Sequence, residues 1–263
     1  SAVIALSGGI DSTLVAALAV DAVGSAAVRG FALPSRYSSE HSLSDAYEVA
    51  RRLDIEIETI PIEEAHQALS GMLAPVMAGG AVGLTDENLQ SRIRGVIMMA
   101  ISNQSGAIVL TTGNKSEMAV GYSTLYGDSA GGFAVIKDVP KTLVYELCRY
   151  RNRRAEELGD EMPVPLSVSE KAPSAELRPG QYDAQSLPPY EQLDPLLALY
   201  VEEDWTADEM IEAGHDRALV KKITRLVDTA EYKRRQMPPG VRISKKAFGR
   251  DRRMPITNGF RPD

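Results

Sequence analysis

Ser7-Gly8-Gly9-Ile10-Asp11-Ser12 follows the apolar run Ala2-Val3-Ile4-Ala5-Leu6 and leads directly into Thr13-Leu14-Val15-Ala16-Ala17-Leu18. A strand that turns through glycines into a helix makes an anion cradle. The glycines let backbone approach a polyphosphate, the N–H groups of the turn and first helical turn point at its oxygens, and the helix dipole favours negative charge. Ser7 and Ser12 add hydroxyl donors. Asp11 would repel a phosphate, so its place in the loop makes sense as a ligand for the Mg²⁺ that accompanies ATP. A Walker A loop needs a lysine for the β and γ phosphates, and none follows here, which favours cleavage between the α and β phosphates. A tight turn with a serine cap would also use the glycines and Ser12, but it leaves Ser7 and Asp11 without a purpose.

Outward from this loop, Ala2 to Leu6, Val28 to Leu33, Ile55 to Ile60 and Ala107 to Thr111 read as strands with helical patterns between them. That alternation predicts an α/β fold: a Rossmann-like parallel sheet flanked by helices, with right-handed crossovers and ligands at the carboxyl ends of the strands. Ser7 and Thr112 both fall at such ends. From Thr85 to Ser105, Leu89, Ile93, Val96, Ile97 and Ala100 keep a helical period, with Thr85 as N-cap and Asn88 and Arg92 one turn apart on a shared face. Two proline- and glycine-containing loops, Tyr122 to Gly132 and Pro163 to Pro189, carry polar residues suited to gripping a substrate. From Tyr190 the pattern is helical, with Leu219, Ile223, Leu226, Val227 and Ala230 in one stripe before Pro238 and Pro239 end it.

With 263 residues, 44% hydrophobic and 25% charged, the chain has the composition of a soluble globular protein, and no repeat or linker divides it. Its apolar runs are too short to span a bilayer, and no signal peptide is evident. A net charge of −7 argues against nucleic acid as the main partner. Arg242, Lys245, Lys246, Arg250, Arg252 and Arg253 nevertheless cluster near the end, as a solvated tail or as a surface for phosphates or acidic groups. The single cysteine, Cys148, excludes an intrachain disulfide, suits a reducing cytoplasm, and reads as a packed helix residue rather than a nucleophile. His41, His66 and His215 lack partners at metal-ligand spacing and read as surface or capping residues; Trp205 reads as the anchor of the C-terminal helices.

Thr111-Thr112-Gly113-Asn114-Lys115-Ser116-Glu117 follows the fourth strand, and Gly121-Tyr122-Ser123-Thr124-Leu125-Tyr126-Gly127-Asp128 comes next. The opening Ser-Gly-Gly-x-Asp-Ser resembles the signature of the ATP pyrophosphatase superfamily, whose members adenylate a substrate oxygen and release pyrophosphate. The later segments resemble the NAD synthetases, most nearly the synthetase part of the glutamine-dependent ones. So do Pro34-Ser35-Arg36-Tyr37-Ser38-Ser39-Glu40, Pro173-Ser174-Ala175-Glu176-Leu177-Arg178-Pro179 and the ending Ser244 to Arg253. The resemblance covers nearly the whole chain and implies an adenine nucleotide α-hydrolase-like fold. It also implies a reaction: the nicotinate carboxylate of deamido-NAD attacks the α-phosphate of ATP, pyrophosphate leaves, and ammonia displaces AMP to give NAD. ATP is needed because a carboxylate resists ammonia until its oxygen joins a good leaving group.

By the same resemblance Asp11 and Glu117 hold Mg²⁺, and Ser7, Gly8, Gly9, Asp11, Ser12, Arg36, Thr112, Lys141 and Ser174 meet ATP, with Lys141 on the triphosphate. Asn88, Arg92, Tyr122, Ser123, Thr124, Leu125, Asp128 and Lys233 lie near deamido-NAD. Taken alone, Glu117 and Lys141 would pass for solvated helix residues, and Lys233 for a charged helix end. Ammonia-dependent relatives carry lysine where this chain has Leu125, which moves the resemblance toward the glutamine-dependent branch. Residues 1–263 are read as one synthetase domain with no glutaminase domain among them. The expectation is therefore free ammonia, or ammonia supplied from glutamine by another unit, and a homodimer. Other acceptors within the superfamily remain open, a GMP-synthetase-like ligase or a tRNA-thiolating enzyme, as does a module that only binds nucleotide.

Overall fold

The computed structural model describes residues 1–77 and 81–257. The run before the phosphate loop is β1 (Ala2–Ala5), and the loop opens α1 (Ile10–Val23). The chain continues through β2 (Val28–Ala32), α2 (Glu40–Arg52), β3 (Glu56–Thr59), α3 (Glu63–Leu73), α4 (Leu84–Ser105), β4 (Ile108–Thr111), α5 (Lys115–Val120) and β5 (Phe133–Ala134). Helices follow: α6 (Lys141–Leu158), α7 (Leu166–Glu170), α8 (Tyr190–Leu197), α9 (Ala207–Glu212), α10 (Arg217–Thr229) and α11 (Glu231–Arg234). The five strands form a parallel sheet in the order β3-β2-β1-β4-β5, so β1 lies at its centre.

Successive residues of a strand point to opposite faces, and β1 shows what each face meets. Ile4 packs with Leu14 and Val15 of α1, Val49 of α2 and Val144 of α6. Val3 packs on the other side with Ile93 and Met98 of α4. A third apolar cluster joins the C-terminal helices: Leu193, Ile223 and Val227 are fully buried, and Trp205 packs against them as anticipated. Each such side chain contributes about 1.5–3 kcal/mol on leaving water.

Several local expectations need correction. Gly83, not Thr85, is the N-cap of the long helix. Glu87 N–H already bonds back to Gly83 O, so the ladder begins earlier and Thr85 falls inside the first turn. β5 has only two residues, too few to leave a periodic signal in the chain. His66 is a buried residue rather than a surface one, its Nε2 2.7 Å from Asp86 Oδ1. Cys148 is buried within α6, and burial pushes its thiol up to about 12, away from nucleophile chemistry.

The basic C-terminal stretch is largely neutralised by acids of its own chain: Arg242 meets Asp251, Lys245 meets Glu203, and Lys246 and Arg252 both meet Asp204. Its inner edge is tied to α5. The buried Lys115 Nζ reaches Glu202 at 2.8 Å, Asp138 at 2.9 Å, Ser244 Oγ at 2.6 Å and the Lys246 carbonyl at 3.1 Å. Asp138 also accepts the Ile243 and Ser244 N–H groups. Burial alone would raise the Asp138 carboxyl, but Lys115 and these amides outweigh it and hold it below the ordinary carboxylate range. Removing one partner of a buried pair strands the other charge. Lys115→Met is therefore expected to lower unfolding free energy by about 3–5 kcal/mol in urea titrations.

Candidate functional site

From β1 the sheet grows through β2 on one side and β4 on the other, which opens a crevice at the carboxyl ends of β1 and β4. A cavity of about 610 Å³ lies there. Ser7, Gly9, Asp11 and Ser12 enter it from the end of β1, Thr112 and Glu117 from the end of β4, and Lys141 from the first turn of α6. The loop is shaped by its own hydroxyls: Ser12 Oγ donates to Gly9 O at 3.0 Å, Thr13 Oγ1 donates to the same carbonyl at 2.9 Å, and Gly9 N–H donates to Ser7 Oγ at 3.3 Å. Gly8 is not part of the wall. It has φ +73° and packs behind the loop against Ser42 and Asp45, where its lack of a side chain sets the close approach.

Three charges converge beside the loop. Lys141 Nζ bonds Asp11 Oδ2 and lies 3.6 Å from Glu117 Oε1. Asn114 links the two carboxylates: its Nδ2 donates to Asp11 Oδ1 at 2.9 Å, while its Oδ1 accepts the Glu117 N–H at 3.0 Å as the cap of α5. Asn114 and Glu117 complete a capping box, which fixes Glu117 one turn into the helix. Burial first, and the Asp11 charge second, push the Glu117 carboxyl up to about 8. Burial opposes the Lys141 ammonium, but Asp11 and Glu117 prevail and hold it firmly protonated.

The far wall belongs to α4 and the loop after α5. Thr124 Oγ1 donates to Asn88 Oδ1 at 2.8 Å, and Thr124 N–H and Ser91 Oγ both donate to Asp128 Oδ1, at 2.7 and 2.9 Å. Arg92 Nε donates to the Leu125 carbonyl, and Lys233 Nζ donates to the Gly121 and Ser123 carbonyls. Tyr122 Oη and Ser123 Oγ are buried without a hydrogen-bond partner among the described residues. Asn88, Arg92, Tyr122, Ser123, Thr124, Leu125, Asp128, Lys233 and Ser174 all line the one cavity. Arg36 does not line it; its exposed guanidinium is paired with Glu63 at the start of α3.

A family model described as NAD synthase matches residues 1–238. The chain belongs to the NAD synthase family. It is 51% identical over 261 residues to a glutamine-dependent NAD(+) synthetase of Synechocystis sp., covering 99% of this chain and 46% of that relative. The chain thus spans about half the length of the curated relatives it matches. The structure is similar to that of a glutamine-dependent NAD+ synthetase from Acinetobacter baumannii solved with ADP, at 43% identity and TM-score 0.62, covering 100% of this chain and 47% of that one. It is also similar to an NMN synthetase from Francisella tularensis, at 28% identity and TM-score 0.71, covering 88% and 85% of the two chains.

The cavity contains groups that motif reading passed over. Asp183 lines it, accepting the Tyr190 hydroxyl at 2.8 Å. Lys171 and Glu176 line it from the loop after α7, where Glu176 accepts Ser39 N–H at 3.0 Å and Ser42 Oγ at 2.7 Å, docking that loop on the start of α2. Arg94 lines it from α4. Only Glu176 had a local signal, its place in the proline-bounded segment. The donor set also fits Mg²⁺: Asp11 and Glu117 are hard oxygen donors on either side of Lys141, and a dication bound there would favour the ionised form of both carboxyls. Among the described residues no group of three or more His, Cys, Asp or Glu gathers as a metal site. Two carboxylates with the remaining ligands from phosphate and water is the usual protein contribution for this ion.

Proposed function

We propose that this cavity converts deamido-NAD (nicotinic acid adenine dinucleotide) to NAD by ATP-dependent amidation through an acyl adenylate. The observation that carries the reading is the meeting of Asp11, Glu117 and Lys141 at the ends of two strands, in a member of the NAD synthase family. A nicotinate carboxylate oxygen bonds to the α-phosphorus and the bond to pyrophosphate breaks. Ammonia then adds to the acyl carbon, AMP leaves with the electrons of the carbon–oxygen bond, and the nitrogen loses a proton.

The backbone N–H groups of the loop and Ser7 and Ser12 grip the phosphates, with Thr112 and Ser174 at the edges of the nucleotide. The buried, protonated Lys141 offsets charge that builds on the departing pyrophosphate. Mg²⁺ held by Asp11 and Glu117 would supply further charge neutralisation there. Asn88, Arg92, the Tyr122–Leu125 turn, Asp128 and Lys233 orient the dinucleotide, and such positioning accounts for most of the rate. The nitrogen is ammonia, either free or released from glutamine by a unit outside these residues. A reducing cytoplasm suits this chemistry and the lone buried thiol. Incubation of the chain with ATP, Mg²⁺, ammonium and deamido-NAD is expected to yield AMP, pyrophosphate and NAD in equal amounts. Accumulation of ADP, or pyrophosphate release only with a different acceptor, overturns the reading.

We further propose that the chain acts as a homodimer joined through α4. Leu84 and Val96 on that helix are each 70% exposed, and Ile108 and Tyr126 are exposed as well. Exposed apolar residues in such numbers suit a self-complementary surface. Light scattering at micromolar concentration is expected to return the mass of two chains, and Val96→Glu the mass of one.

A further inference from the structure

Arg94 is held in a way that a purely structural arginine would not be. Its Nε donates to the carbonyl of Leu33, one residue beyond β2, at 2.9 Å. That bond sets the plane of the guanidinium at the carboxyl edge of the sheet. Among the described residues its two terminal nitrogens have no hydrogen-bond acceptor and no carboxylate within ion-pair distance, and the side chain lines the main cavity. Glu176 and Asp128 act on it only from longer range, and burial lowers its proton affinity.

Arg234 shows how this chain treats a structural guanidinium. It too is desolvated, yet Nε and one terminal nitrogen bond Glu231 and the terminal nitrogens also reach the Ala119 and Val227 carbonyls, so every nitrogen is used. Arg94 is half-buried and lines the cavity with its fork free of protein acceptors among the described residues, so an anion entering there meets donors that no internal group has taken. A fork of parallel N–H donors matches two oxygens of one phosphate.

Resting on the function proposed above, we propose that Arg94 receives a phosphoryl oxyanion of a bound substrate, either ATP or the dinucleotide. Both carry phosphates, and Arg94 stands between the β2 end of the cavity and the wall formed by α4. The reading makes two joint demands on Arg94→Met. The KM for one of the two nucleotides rises by about 10–100-fold, as expected for loss of a charge-assisted hydrogen-bond pair. The ligand-free melting temperature stays level or rises, because among the described residues the guanidinium makes a single bond to protein, that to Leu33, and its fork makes none.

The test uses the full chain. Wild type is assayed first with ATP, Mg²⁺, ammonium and deamido-NAD; its failure to make NAD would defeat the proposed function rather than this inference. With wild type active, a rise confined to the KM for ATP assigns the phosphate to ATP, and a rise confined to that for deamido-NAD assigns it to the dinucleotide; either supports the proposal. Arg94→Lys, which keeps the charge and loses the fork, is expected to restore part of the affinity. Unchanged KM values for both nucleotides in Arg94→Met overturn the proposal. So does a variant that fails to fold or melts well below wild type, since the guanidinium would then be serving the fold.

Discussion

Asp11→Asn and Glu117→Gln are each expected to lower kcat for NAD formation by about 100–1000-fold at saturating Mg²⁺, while leaving the circular dichroism spectrum unchanged. The fold survives because each amide keeps the shape and one acceptor oxygen of its carboxylate. In the Glu117→Gln variant the amide oxygen can still accept the Asn114 N–H that closes the capping box, and in Asp11→Asn it can still accept Asn114 Nδ2. What is lost is charge at the two strand ends that face the departing pyrophosphate. A rate within a few-fold of wild type at saturating magnesium would remove these residues from the mechanism.

Glu117→Gln also has an opposite effect on the ligand-free chain. With its carboxyl raised from 4.5 to about 8, Glu117 binds its proton more tightly folded than unfolded. This proton uptake stabilises the folded state fully below the unfolded value near 4.5 and is lost as pH rises through about 8. Across that window the wild-type melting temperature should fall relative to that of Glu117→Gln, whose amide does not titrate. The variant should be the more stable protein at pH 8 and the poorer enzyme, a separation that a general folding defect does not produce. Parallel melting curves for the two proteins from pH 5 to 8 would remove the buried-carboxylate argument.

The division between what the chain alone discloses and what needs folding follows from range. The parallel sheet is legible because β1, β2 and β4 are largely apolar and β3 lies between Ile55 and Ile60, all set between helical periods, and the phosphate loop because its glycines sit at a strand–helix junction. Thr112 and Glu117 are legible for the same reason, lying within a few residues of a strand end. Arg94 is not: it stands two positions from Arg92, which places it on another side of an ideal helix, yet α4 crosses the sheet edge so closely that both border the cavity. Asp183 reaches the cavity from a loop whose path depends on tertiary packing, and its bond to Tyr190 joins two segments without a shared local pattern. Arg36 illustrates the reverse. Its motif points toward nucleotide, yet its guanidinium pairs with Glu63 at the start of α3 and does not line the cavity.

Gly8→Ala is expected to lower kcat/KM for ATP by about 100-fold or more, with the overall fold retained. At φ +73° an alanine costs about 1–2 kcal/mol from backbone sterics alone. The larger effect comes from position. The new Cβ would lie well inside contact with Ser42 O, 2.9 Å from Ser42 C and 3.1 Å from Asp45 Cβ, so one of two backbones must yield. The start of α2 is held by Ser39, whose side chain accepts Ser42 N–H, and by Glu176, which accepts Ser39 N–H and Ser42 Oγ. Ser7 to Gly9 are held by the motif's own short hydroxyl bonds, whereas the anchors from outside it, Asn114 and Lys141, act on Asp11 in α1, and so Ser7 to Gly9 is the side that moves. Displacing Ser7, Gly9 and Ser12 by even about 1 Å disturbs the geometry on which in-line attack depends. Gly106→Ala is the control: Gly106 has a similar φ of +71°, ends α4, and has open space where the Cβ would go. It should lose a comparable amount of stability, about 1–2 kcal/mol, and keep its activity. If Gly8→Ala keeps kcat/KM for ATP within about threefold of wild type while Gly106→Ala behaves as described, the close passage of the loop past Ser42 is not what sets the phosphate site.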